Sequence, residues 1–319
     1  MIENFFIKFN KTLEKGMPLL TPTGVIIGLL LGNRVAHLAP AVTVLFAFMT
    51  LTGALSINAK DFIAVFKKPL PIVLFLFCFH ILMPIIAYFS AKIFFSNDEA
   101  LITGIVLLFA IPTAVAGSIW STIHNGNMSL TITLILLDTI LAPFLTPFIV
   151  SVFMGKVIKI NALGMFISLV WMVVIPSIIG ICINQFSKGK IPKKILPYCK
   201  PFSKFALLFV IIINSGRIRT SIHEFETIFI LVTFVALFLS FTSFALGAGC
   251  GRLLKLPHKD CVSLMYGSGL RNISAALVLA LTYFEPRCGI PIVIGIVFQQ
   301  TLAAISGIIL LPQKANSSH

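Results

Sequence analysis

Acidic residues are scarce in this chain: ten Asp and Glu among 319 residues, against 24 Lys and Arg, for a formal net charge of +14. A basic excess of that size would ordinarily raise nucleic acid as a partner. The basic residues, however, sit in short loops between apolar runs. That is the pattern of cytoplasmic loops in a membrane protein, not of a phosphate-binding face, so no nucleic acid is expected. Cysteine is present six times (78, 182, 199, 250, 261 and 288) but never as CxxC or in a Cys/His ligand spacing. A disulfide framework and a zinc site are therefore not indicated, and no metal or other cofactor is expected. HExxH is missing, as are paired aspartates on facing spans and a GxSxG with a distant buried His, so no enzyme is indicated. A cleavable leader is missing too: residues 1–15 alternate Phe, Lys and Glu like an interfacial amphipathic helix, with no small-residue cleavage site.

Hydrophobic residues make up 58% of the chain, Phe occurs 30 times, and the mean hydropathy is +1.05. Apolar runs long enough to span a bilayer recur from end to end, which predicts an all-α, multi-pass membrane protein whose solvent is the lipid bilayer. Ten spans are expected at about 18–36, 39–57, 69–95, 100–124, 127–154, 162–187, 202–218, 226–254, 260–284 and 288–312. The N-terminal segment, alternate loops and the C-terminus carry sixteen basic residues and the other loops seven. Both termini should then be cytoplasmic and the protein should lie in the cell's inner (plasma) membrane. Ten spans divide into two five-helix halves, 1–160 and 161–319, which must be inverted because five is odd. Gly53–Phe62 faintly echoes Gly216–Phe225 in its Gly, its basic-then-acidic pair and its Phe.

The ninth span holds Tyr266-Gly-Ser-Gly-Leu-Arg-Asn-Ile-Ser-Ala-Ala276. Arg271 is the only basic residue in the middle of a span, and a charge there costs several kcal/mol unless it faces a cavity or a partner. Gly267, Gly269 and Asn272 weaken the helix at the same point. The fourth span is broken as well, at Ile111-Pro-Thr-Ala-Val-Ala-Gly-Ser118, where Pro112 removes a backbone hydrogen bond. Two interrupted helices at matching places in two halves point to the substrate site of a transporter.

These motifs, with Pro84, Gly126-Asn127 and Pro143-Phe-Leu-Thr-Pro147, resemble those of the bile acid:sodium symporter family over nearly the whole chain. The resemblance implies two inverted repeats forming a core (spans 3–5 and 8–10) and a flatter panel (spans 1, 2, 6 and 7). Broken helices 4 and 9 would cross in the core, and an organic anion would bind between core and panel and cross by alternating access. Sodium-dependent members carry a Glu and a Gln in the ninth-helix break, where this chain has Gly267 and Arg271. The Ser-Asn pair of the fourth helix becomes Gly117-Ser118, a Ser and a Thr of the fifth become Thr131 and Ile135, and a Gln of the third becomes Phe79.

The expected reading is that Arg271 replaces the ions, making transport independent of sodium and leaving a positive charge for an oxyanion. The candidate substrate residues are Arg271, Asn272, Ser268, Thr113, Ser118, Gln299 and Asn214. The ion-site equivalents are Arg271, Asp138, Gly267, Ser118, Thr131 and His80. Asp138 is the only mid-span acid, and Arg271 is its expected partner, as a static pair or in proton exchange, with His80 a second proton carrier. Gln299 and Gln300 either line the cavity or bond helix to helix. A sodium-coupled symporter using the residual oxygens is one alternative, and a receptor or sensor of the same fold is another.

Overall fold

The structure, a computed structural model, describes residues 2–57, 69–222 and 228–311. The echo segments therefore lie partly outside the described residues, as does the C-terminal Lys314. Among the described residues there is no strand, only one isolated bridge, and the chain is helical in each expected span. We number the helices α1 (Ile2–Leu31), α2 (Ala39–Ala54), α3 (Leu70–Phe94), α4 (Glu99–Ala110), α5 (Ala116–Ile123), α6 (Met128–Met154), α7 (Ala162–Phe186), α8 (Lys190–Ile222), α9 (Ile228–Leu253), α10 (His258–Gly269), α11 (Ile273–Tyr283) and α12 (Gly289–Leu310). Among the described residues seven stretches are long and apolar enough to cross a membrane, counting Leu19–Ala54 as one; α4 and α11 are shorter apolar helices. This is a multi-span, all-helical membrane protein.

Local chemistry explains the ends and irregularities. Asp98, Asn127 and Asn161 each accept a backbone N–H three residues on, capping α4, α6 and α7. Gly32 turns the chain out of α1 with φ +54, into a tight turn that leads to α2. Both α3 and α7 widen by one π turn, at Cys78–Leu82 and Val170–Val174, ending two residues before Pro84 and Pro176. Proline lacks the donor its helix needs and crowds the preceding turn, and the wide turn absorbs that defect.

Helices α1, α2, α7 and α8 pack mainly against one another, and α3–α6 with α9–α12 form a second group. Within the first group α1 and α8 run parallel along their length, from Phe6 beside Tyr198 to Gly32 beside Arg219. Gly28 allows this approach, since a Cβ there would sit 2.3 Å from the Ile212 carbonyl oxygen. Within the second group α4 is buried on every side from Leu101 to Ala110, and α11 is nearly so. Helices apolar all round belong in a core. The outer helices instead show Leu19, Phe186, Trp171 and Phe234 outward, as lipid-facing surfaces do.

The loops collect at two ends. Asp98 pairs with Arg287, and Lys159, Tyr283 and Glu285 line the same hollow. At the opposite end Lys11, Ser56 and Lys193 share another, and Asn127 meets Lys259. Alternate loops thus lie together, as an up-and-down path requires.

Candidate functional site

The two interrupted spans meet at their breaks. Ala114 N–H donates to the Leu270 carbonyl at 2.9 Å, and Asn272 N–H donates to the Pro112 carbonyl at 2.8 Å. This two-bond bridge joins Thr113 to Arg271 in an antiparallel pair, the one isolated bridge among the described residues. Broken helices leave carbonyls without intrahelical donors, and buried carbonyls must find them elsewhere. Thr113 Oγ1 lies 2.8 and 2.9 Å from the Gly267 and Leu270 carbonyls and shares its one proton between them. Ser243 Oγ, from α9, donates to the Ser268 carbonyl at 2.6 Å, and Thr146 Oγ1, from α6, to that of Ala110 at 2.8 Å.

Arg271 and Asp138 complete this pattern. In an uninterrupted α4 the Thr113 N–H would bond to the Phe109 carbonyl. Here Thr113 N–H donates to Asp138 Oδ2 at 2.6 Å, and Arg271 Nη1 donates to the Phe109 carbonyl at 2.6 Å. One severed helical hydrogen bond is thus divided between the buried Asp138 carboxyl and the buried Arg271 guanidinium. Arg271 is 2% exposed; Nη2 donates to Ser243 Oγ at 3.2 Å, and its guanidinium carbon lies 3.4 Å from the centre of the Phe79 ring. That stack is the planar-cation geometry lysine cannot supply. Its Nε finds no partner among the described residues.

The expectation that Arg271 is the direct partner of Asp138 is corrected. Asp138 Oδ1 pairs with His80 Nε2 at 2.6 Å, and Asp138 is fully buried. His80 lies in the π turn of α3 beside Phe79. Neighbouring positions of a helix diverge, so one reaches Asp138 while the other covers Arg271. The chain therefore assembles Phe79, His80, Phe109, Thr113, Asp138, Ser243, Arg271 and Gln299, the last accepting the Arg271 N–H at 3.1 Å.

Other expected residues fall at or outside this cluster. Gly267 contributes its carbonyl, and a Cβ there would already be within 3.4 Å of Leu134 and Phe75, so the space where a larger side chain would begin is filled. Ser268 is buried, its hydroxyl unpartnered among the described residues, and Asn272 stands at the start of α11 without a side-chain capping bond. Ser118 bonds back to the Val115 carbonyl and is not part of the cluster. Thr131 belongs to a separate group, with Ser121 at 2.8 Å and Ser263 at 2.9 Å. Asn214 is buried in α8, its amide unpartnered among the described residues, and is not joined to Arg271. Gln300 bonds Trp120 and serves packing. Sequence reading missed Ser243, which looks like any serine in an apolar helix, and the Phe109 carbonyl, which is invisible in side-chain chemistry.

The model of the sodium bile acid symporter family matches residues 42–225 of this chain. The Bacillus subtilis (strain 168) protein YbaS is 38% identical over 294 residues, 92% of this chain and 96% of the relative. A second Bacillus subtilis protein, "Uncharacterized sodium-dependent transporter YocS", is 22% identical over 78% of this chain and 76% of its own length. The Arabidopsis thaliana protein "Probable sodium/metabolite cotransporter BASS1, chloroplastic" is 22% identical over 92% of this chain and 73% of its own length.

Proposed function

The chain belongs to the sodium bile acid symporter family, and from that premise we propose that it moves an organic anion across the plasma membrane by alternating access, without sodium, with Arg271 in place of the ions. Family and relatives make it a secondary transporter, not an enzyme. In this reading residues 1–160 and 161–319 are inverted repeats of five spans each, and both termini are cytoplasmic. Helices α3–α6 and α9–α12 move as a core against a panel of α1, α2, α7 and α8.

The observation that carries the sodium-independent reading is the division of one broken hydrogen bond between Asp138 and Arg271. A sodium ion needs several oxygen ligands, and the carbonyls of Phe109, Ala110, Gly267, Ser268 and Leu270 all accept protein hydrogen bonds already. A guanidinium that supplies several donors and a permanent charge performs the bridging role of an ion. The N-termini of α5 and α11 leave the crossing with their positive ends toward it, and with the Asn272 amide they favour an oxyanion beside the cation. The pair of His80 and Asp138 is the group that would exchange a proton if transport is proton-coupled.

A second reading keeps sodium. The hydroxyls of Ser121, Thr131 and Ser263 gather around the Asn127 carbonyl, a small oxygen-rich group away from Arg271. One experiment separates the two. A thermal-shift screen of the purified protein against organic anions identifies a substrate, and its uptake into liposomes is then measured with sodium replaced by choline. Uptake should persist. A loss beyond about tenfold, roughly 1.4 kcal/mol of coupling, would show that transport depends on sodium and sink the sodium-independent reading.

A further inference from the structure

We propose that the end of the molecule formed by α1, α2, α7 and α8 holds the headgroup of an anionic glycerophospholipid. A hollow of about 670 Å³ opens there, lined by Lys11 of α1, Ser56 after α2, Asn184 of α7, and Lys193 and Lys200 of α8. Among the described residues no Asp or Glu lines it, and none pairs with any of the three ammonium groups. Three like charges line one hollow with no counter-charge among the described residues, and like charges are mutually unfavourable until an anion joins them. Helix α8 begins at this hollow, so the positive end of its dipole adds to the same field.

The rim indicates a lipid instead of a soluble anion. Phe5 and Ile7 of α1 and Phe202 and Phe205 of α8 are exposed at the same level, with the Phe9 and Phe205 rings 6.0 Å apart. An apolar belt beside a basic hollow matches a headgroup with its acyl chains: phosphate among lysines, hydrocarbon along aromatics. The volume suits a headgroup. All lining residues come from the one packed group of helices, so the site is independent of the crossing at Thr113 and Arg271 and of any substrate bound there. A lipid seated here ties the amphipathic start of α1 to the long α8 and holds that group of helices together as a unit.

The test uses delipidated protein in detergent and follows its thermal unfolding with phosphatidylglycerol, phosphatidylcholine or inorganic phosphate. Phosphatidylglycerol should raise the unfolding temperature by a few degrees; the other two should not. A variant with Lys11→Gln, Lys193→Gln and Lys200→Gln should bind the anionic lipid about 100-fold more weakly, near fivefold per lysine. A control with Lys156→Gln, Lys159→Gln and Lys255→Gln should behave as the parent. If the triple variant does not fold, Lys193→Gln alone should show the fivefold loss. An equal response to phosphatidylcholine, a response reproduced by inorganic phosphate, no response at all, or lysine variants that bind as the parent would each overturn the proposal.

Discussion

Replacing Arg271 by Ala leaves the Phe109 carbonyl buried without a donor and removes the ring stack on Phe79. We expect a loss of about 3–5 kcal/mol, measured as thermal unfolding in detergent, and no transport. Arg271→Lys keeps a charge but loses the fork and the stack, and should fold while transporting poorly. Adding Asp138→Asn to Arg271→Ala should restore little stability, because the carboxylate holds His80 and Thr113 and does not contact the guanidinium directly. Full rescue would show an ion pair instead. Their cost in a membrane predicts from the sequence that both charges are turned inward, and both are buried. The sequence could not assign their partners, since those are a histidine rotated into reach by a π turn and two backbone groups of a helix end.

At the scale of elements, the crossing rests on close backbone approach. A Cβ at Gly269 would meet the Phe244 ring at 2.0 Å, so Gly269→Ala should cost about 1–3 kcal/mol by overpacking. Thr113→Val removes the hydroxyl proton shared by the Gly267 and Leu270 carbonyls at the end of α10 and should loosen the bridge by about 1–3 kcal/mol, read as faster amide exchange at Ala114 and Asn272. Both breaks were legible, because proline, glycine and a charge stand out inside apolar runs. The sequence separates an amphipathic 1–15 from a span at 18–36; the apolar stretch does begin at Leu19, but the two are one continuous helix from Ile2. Polar residues in its first half conceal that continuity, and packing along α8 supplies it. The family resemblance groups Ser118 and Thr131 with Arg271, whereas Ser118 bonds within its own turn and Thr131 bonds Ser121 and Ser263.

For the whole molecule, the ten-span path requires Ser96 and Lys190 to face opposite sides of the membrane. Single cysteines at these exposed positions, in a background without native cysteine, should be labelled from opposite sides by a membrane-impermeant reagent. Labelling of both from one side would exclude the path. The cation at the crossing has a further consequence, because it is covalently attached and returns with the protein in every cycle. Moving a monoanion without a travelling cation then transfers one net negative charge. An inside-negative potential of 100 mV does about 2.3 kcal/mol of work on that charge, which favours the outer compartment by roughly 50-fold at equilibrium. On the proposed sodium-independent reading, and with no proton moving alongside, the molecule would be an electrogenic exit path, and liposomes clamped inside-negative should lose preloaded anion faster than unclamped ones.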